Sequence, residues 1–249
     1  MKTLLLDVGN SRLKWAFAVD QTLQPIQALA HGGDPAAASA AIEIMDVDAI
    51  WIANVTGAAH ADALTAQLSA RHSQLPRFAV ATAECLGLRV AYPDARRLGV
   101  DRWLALLAAW TLTRGAASVA SCGTALTFDA VSANGRHLGG VIAPGLLTAQ
   151  QAVLGATRFA ANAPGNDFEP GLGMDTEACV RQGALHACAG LVDRLAKAQS
   201  PSPLFLTGGD AEVLQPHLAT ASVIRPDLVL QGLLVYATAG THAGRAQND

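Results

Sequence analysis

The chain of 249 residues is 51% hydrophobic, has a formal net charge of -3 and a pI near 6.1. Its length and apolar content allow one large domain or two smaller ones, and its weakly acidic balance offers no basic field to recruit a nucleic acid by counterion release. The four cysteines, Cys85, Cys122, Cys179 and Cys188, have no CxxC spacing and no histidine cluster beside them, so neither a structural zinc nor a disulfide framework is implied.

The first apolar run, Leu4-Leu5-Leu6, stops at Asp7, well short of the ~7–15 residues of a signal-peptide core, and reads as a β-strand. After the turn Gly9-Asn10-Ser11 a second strand is expected over Leu13–Val19, making a hairpin set by glycine. Ala49–Asn54 reads as a strand, Ala58–Arg71 as a helix with Leu64 and Leu68 one turn apart, and Phe78–Thr82 as another strand.

Asp101–Arg114 is a helix that is apolar around most of its circumference and must be buried, either between two halves or against a second subunit. Trp103, Leu104, Leu106, Leu107 and Trp110 point in too many directions for one domain to cover, so a homodimer is expected. Gly115 ends that helix and sets the predicted division into domains 1–115 and 116–249. The run Trp103–Trp110 is the longest apolar stretch, far below the ~20 residues that span a bilayer. A cytoplasmic protein with no membrane or nucleic-acid partner is the expectation.

In the second half Val119–Ala125 repeats the opening pattern: an apolar strand, a small residue, glycine, and a polar turn into a strand at Leu126–Val131. Gly9 and Gly123 lie 114 positions apart, close to half the chain, which suggests an internal duplication. A strand with glycine punctuation follows at His137–Gly145, then helices at Leu146–Leu154 and Asp175–Ala198, a strand into a turn at Leu204–Asp210, and a helix at Leu228–Ala239 with Leu230, Leu233, Leu234 and Ala237 on one face. The tail Gln247-Asn248-Asp249 is expected to fray. Strands alternating with helices make the fold mixed α/β.

No GxxxxGK[ST] is present, and both glycine turns feed strands rather than helices, which argues against a P-loop or a dinucleotide-binding turn. Two glycine hairpins facing one another across a cleft can instead offer backbone N–H groups to a triphosphate from both sides, as in the actin/hexokinase/Hsp70-like ATPases. Asp7 is placed to hold Mg²⁺, directly or through water, and Lys14 supplies a compact positive charge. The plain alternative is a pair of ordinary solvated hairpins.

Four segments in order, Asp7-Val8-Gly9-Asn10-Ser11-Arg12-Leu13-Lys14, Gly99-Val100-Asp101-Arg102, Gly123-Thr124-Ala125-Leu126-Thr127-Phe128-Asp129 and Gly139-Gly140-Val141-Ile142-Ala143-Pro144-Gly145, resemble the type III pantothenate kinases over residues 1 to about 235. The resemblance implies two ribonuclease-H-like domains, ATP in the cleft between them, phosphorylation of pantothenate, and homodimers. On the matching positions Asp7 to Lys14 form the first phosphate loop, and Gly123-Thr124 the second, with Thr124 on the nucleotide. Tyr92, Gly99, Val100, Asp101, Arg102 and Thr176 border pantothenate.

Asp101 is the candidate general base, and Arg102 a charge or a clamp for the substrate carboxylate. The bland reading makes Asp101 a helix cap and Arg102 an exposed first-turn residue.

The family commonly has an acidic residue just ahead of the second Gly-Thr-Ala, associated with its K⁺ or NH₄⁺ requirement. This chain has Ser121 followed by Cys122, which puts that cation in doubt. Two other readings stand beside the kinase: a nucleotide-binding accessory protein of the same fold with reduced catalysis, and a sugar-kinase or exopolyphosphatase-like relative.

Overall fold

The computed structural model describes residues 1–43, 46–158 and 164–245, with side chains as far as Ala239. In chain order the elements are β1 (Lys2–Val8), β2 (Arg12–Val19), β3 (Thr22–Leu23), β4 (Gln27–Ala30), α1 (Pro35–Ala38), β5 (Ala49–Asn54), α2 (Ala58–Ser69), β6 (Pro76–Phe78), β7 (Glu84–Cys85), β8 (Leu88–Arg89) and α3 (Val100–Thr113). Then come β9 (Ala117–Cys122), β10 (Ala125–Val131), β11 (His137–Pro144), α4 (Leu146–Ala156), α5 (Thr176–Ala198), β12 (Leu204–Thr207), α6 (Ala211–Leu214), β13 (Ser222–Ile224) and α7 (Leu228–Arg245).

The chain divides into two compact units, Met1–Leu112 with the residues from Asp227 on, and Thr113–Pro226. The closing helix, which a simple division at 115 assigns to the second domain, therefore belongs to the first. The reason is packing. α7 lies against β1, β2 and β5, and Tyr236 sits edge-on to Trp51 at 5.5 Å and to Trp103 at 5.3 Å between ring centroids. The face foreseen for this helix is buried, from Leu233 at 0% exposure to Leu234 at 6%.

The first unit's sheet has the order β3-β2-β1-β5-β6, with β4 also on β2. β1 is central, antiparallel to β2 and parallel to β5, and its uninterrupted apolar run suits a strand covered on both faces. Leu4, Leu6, Val8, Leu13, Ile50 and Ile52 pack with Leu64 and Leu68 of α2 in one core. β6 begins and ends earlier than the strand expected at 78–82: parallel pairing runs from Pro76 to Phe78, and the Ala79 amide makes one more bond to Ile52 before the chain departs.

The second unit repeats the plan as β11-β10-β9-β12-β13, again an antiparallel hairpin beside a central strand with parallel strands beyond it. Its core joins Leu126, Phe128 and Leu206 of the sheet to Leu185, Cys188 and Val192 of α5. Gly9 and Gly123 occupy the same place in the two plans, the turn from the central strand into its antiparallel neighbour.

α3 needs no second subunit to cover it. Trp103, Leu104, Leu106 and Leu107 are all at 0%, and half-buried Trp110 donates its indole N–H to the Leu86 carbonyl of the β7–β8 hairpin at 3.0 Å. An all-round apolar helix needs cover, and here this chain supplies it. The tail at 247–249 lies outside the described residues.

Candidate active site

The first glycine turn is closed by the Gly9 amide donating to the Arg12 carbonyl at 3.0 Å. The last ladder pair before it is Val8 with Leu13, and the pair before that sets Asp7 directly opposite Lys14. Alternation then decides what faces solvent. Val8 and Leu13 are at 0% exposure in the core, so they can offer a ligand only main chain, whereas Asn10, Ser11 and Arg12 are exposed.

Asp7 itself is buried, and burial pushes its carboxyl up to about 7; Lys14 opposes that rise, and the Asp101 carboxylate adds to it. Asp7 and Lys14 from one hairpin and Asp101 from a distant stretch of sequence thus meet within one unit. A carboxylate poorly solvated and near a second one is a good partner for a small dication, which replaces the proton with a full charge. Among the described residues no group of three or more His, Cys, Asp or Glu side chains could hold a metal, so a Mg²⁺ at Asp7 would complete its shell with phosphate oxygens and water.

Asp101 stands in the first turn of α3, and its Oδ1 accepts the Arg102 amide at 2.8 Å. The cap-like bond of the bland reading therefore exists, without displacing the carboxylate from the neighbourhood of Asp7. Gly99 allows the arrangement, since a Cβ there would lie 2.8 Å from Asp101 Oδ1. The other half of that reading fails: Arg102 is buried, and its Nη1 lies 3.5 Å from the hydroxyl of half-buried Tyr92, which Pro93 follows. Val100 is buried as well.

The remaining candidates lie in the second unit. Thr124 is exposed in the turn Gly123–Ala125, where its carbonyl accepts the Gly145 amide at 3.1 Å and the Thr148 hydroxyl at 2.6 Å. This turn is held by backbone contact. A Cβ on Gly145 would overlap the Gly123 carbonyl, and one on Gly208, whose φ is +94, would overlap the Cys122 carbonyl. The glycine punctuation at 145 thus serves another element, and the Gly208-Gly209-Asp210 turn, to which sequence reasoning gave no role, braces the hairpin through Asp210 N–H to Cys122 C=O at 3.0 Å. Cys122 is no nucleophile: burial, then Asp210 and Cys188, push its thiol up to about 12. Thr176 opens α5 after the N-cap Asp175 and lines a groove of about 690 Å³ between α4 and α5 with Ala149, Met174, Cys179 and Val180.

Ser121 is opposite Thr127 of β10 on one side and Thr207 of β12 on the other, a row of three hydroxyls on one face of the sheet. Thr207 is 1% exposed, and its Oγ1 has no hydrogen-bond partner. The row contains no carboxylate, and its outer strands are about 10 Å apart, so one ion could touch at most two neighbouring hydroxyls. It does not fit a charged monovalent-cation site.

One residue at the first turn was missed: His31, a lone histidine to which the sequence attached no role. Its Nε2 is 2.8 Å from the Gly9 carbonyl, and its own amide donates to the Ser11 carbonyl at 3.2 Å.

Two sheets of one plan, each opening on a glycine hairpin, define an α/β fold of the actin/hexokinase-like ATPase class. Solved structures with this fold include the activator of the 2-hydroxyisocaproyl-CoA dehydratase from Clostridium difficile with bound ADPNP, at 11% identity and a TM-score of 0.54 over 100% of this chain and 97% of that one. Component A of (R)-2-hydroxyglutaryl-CoA dehydratase from Acidaminococcus fermentans follows at 14% and 0.53, over 96% and 99%. The model of the type III pantothenate kinase family matches residues 3–198, and the type III pantothenate kinase of Xanthomonas euvesicatoria pv. vesicatoria is 39% identical over 96% of this chain and 98% of its own. The chain belongs to the type III pantothenate kinase family and is a kinase.

Proposed function

We propose that this protein transfers the γ-phosphoryl group of ATP to the primary hydroxyl of pantothenate, giving 4'-phosphopantothenate at the entry to coenzyme A synthesis. The observation that carries the reading is the meeting of Asp7, Lys14 and Asp101 beside an exposed glycine turn. Phosphoryl transfer needs little covalent help from a protein beyond alignment and charge neutralisation, and those three side chains supply both. Bound Mg²⁺ would neutralise charge on the phosphate oxygens. Lys14 adds a positive charge to the first loop, the turn Gly9–Arg12 offers backbone N–H groups, and Gly123-Thr124 serves as the second loop.

Asp101 accepts the hydroxyl proton as the oxygen attacks; the bond to the Arg102 amide fixes its orientation. Tyr92, Gly99, Val100, Arg102 and Thr176 border the pantothenate, with Arg102 able to pair with its carboxylate. The homodimer is proposed on family resemblance alone, since α3 offers no open apolar face. A cytoplasmic location fits that chemistry; among the described residues no helix is long and apolar enough to cross a membrane.

The test is a coupled assay with purified protein, ATP and Mg²⁺. Turnover is expected with pantothenate and not with hexoses. Nucleotide binding without turnover of either would overturn the kinase reading in favour of an accessory role.

A further inference from the structure

His31 is 8% exposed, and hydrogen bonds at both ring nitrogens fix its imidazole. Its Nδ1 accepts the Gly33 amide at 3.1 Å, so that nitrogen carries no proton. The ring is then the Nε2–H tautomer, and Nε2 donates to the Gly9 carbonyl at 2.8 Å. The His31 main chain adds the bond to the Ser11 carbonyl at 3.2 Å, so one residue holds carbonyls on both sides of Asn10.

We infer that His31 is a positioning residue for the first phosphate turn, acting through the Gly9–Asn10 peptide; this rests on the proposal that the turn binds ATP. In a planar trans peptide the C=O and the next N–H point in opposite directions. Drawing the Gly9 carbonyl onto the imidazole therefore turns the Asn10 amide to the other side, away from His31. Asn10 and Ser11 are exposed there, so an anion can reach that amide. Were the plane free to flip, the Gly9 carbonyl would take the amide's place and repel a phosphate. His31 thus sets the sign of the dipole that the turn presents. The turn's other bond, Gly9 N–H to Arg12 C=O, lies on the opposite side of the Gly9 α-carbon and does not fix this plane.

The test compares two near-isosteric variants. His31→Gln brings an amide N–H to the place of Nε2, whereas His31→Asn keeps a polar atom near Nδ1 and cannot reach Gly9. Affinity for the non-hydrolysable analogue adenylyl imidodiphosphate with Mg²⁺ is measured by titration calorimetry, and KM and kcat with ATP and pantothenate. For His31→Asn the analogue's Kd and the KM for ATP rise about 5–10-fold, with kcat and the KM for pantothenate within about twofold; His31→Gln stays within about twofold throughout. Equal behaviour of the two variants, whether both bind as the parent does or both weaken alike, overturns the inference. The tautomer needs no variant: two-dimensional ¹H–¹⁵N spectra of the imidazoles in the parent protein should show His31 protonated at Nε2 alone, and a proton on Nδ1 overturns it. Should the parent bind no nucleotide, the ATP reading fails, while the spectra still decide the bond.

Discussion

The two glycine turns share a place in their sheets and differ in almost everything else. The first is surrounded by charge, from Asp7, Lys14 and Asp101, and is held from outside by an imidazole. The second has one carboxylate beside it, Asp210, among the hydroxyls of Ser121, Thr124 and Thr127, and is held by main chain against main chain at Gly145 and Gly208. The loops differ too: the first closes Gly9 to Arg12, the second Gly123 to Ala125, one residue tighter. A repeated plan has kept its turn while dividing the labour, with a cluster of opposed charges on one copy and close backbone packing on the other.

The sharpest test of that division removes charge from the first unit. Asp101→Asn keeps the shape and the bond to the Arg102 amide but cannot take a proton, so kcat should fall about 10²–10⁴-fold while thermal unfolding is unchanged. Near-parental turnover at saturating pantothenate would leave Asp101 as a cap only.

Next in size is a pH effect confined to the first turn. Asp7 has an ordinary carboxyl pKa of 3.8 in the unfolded chain and about 7 in the folded one, so the folded state holds a proton that the unfolded state releases. Stability without ligands should therefore decline as pH rises from about 4 to about 7, by up to ~1.4 kcal/mol per pH unit from this group, and then level off. Urea midpoints across that range should show the decline in the parent and not in Asp7→Asn. Equal slopes in the two proteins would place the raised pKa elsewhere.

How far this was legible in the sequence follows the same division. Spacing and glycine placement were enough for the two glycine hairpins, the repeated plan and the longer strands and helices, because these depend on local periodicity; short elements such as β4 and β13 did not show. Asp7 opposite Lys14 also follows from a hairpin register once the turn is placed. His31 and the Gly208 brace did not show, because each meets its turn only through tertiary folding and neither position has a local signature. Misreading α3 had a related cause: periodicity reports that a helix needs cover and is silent on whether the same chain provides it.

Alanine in place of glycine in the first turn and in the brace of the second should then separate. Gly208→Ala forces a Cβ into the Cys122 carbonyl at a φ that suits glycine, at a cost of about 3 kcal/mol, whereas Gly9→Ala meets only an ordinary contact at 3.5 Å and should stay within about 1 kcal/mol. Denaturant melts of both decide it; equal costs would end the contrast in how the turns are held.

The smallest expected effect is none at all. With a hydroxyl row at Ser121 in place of a carboxylate, initial rates should hardly change with KCl when tetramethylammonium chloride keeps ionic strength constant. Steep, saturable activation at low millimolar K⁺ would show that other oxygens, with the nearby Asp210 carboxylate as the first candidate, rebuild the site.

The return of α7 to the first unit bears on the order of events during synthesis. Residues 113–226 are contiguous and can complete their core as soon as they are made, whereas the first unit leaves Trp51 and Trp103 without Tyr236 until α7 appears. The half made first is thus the half finished last, an exception to the N-terminal-first pattern of domains folding as they emerge. For that interval the loop bearing Asp7 and Lys14 belongs to an incomplete domain.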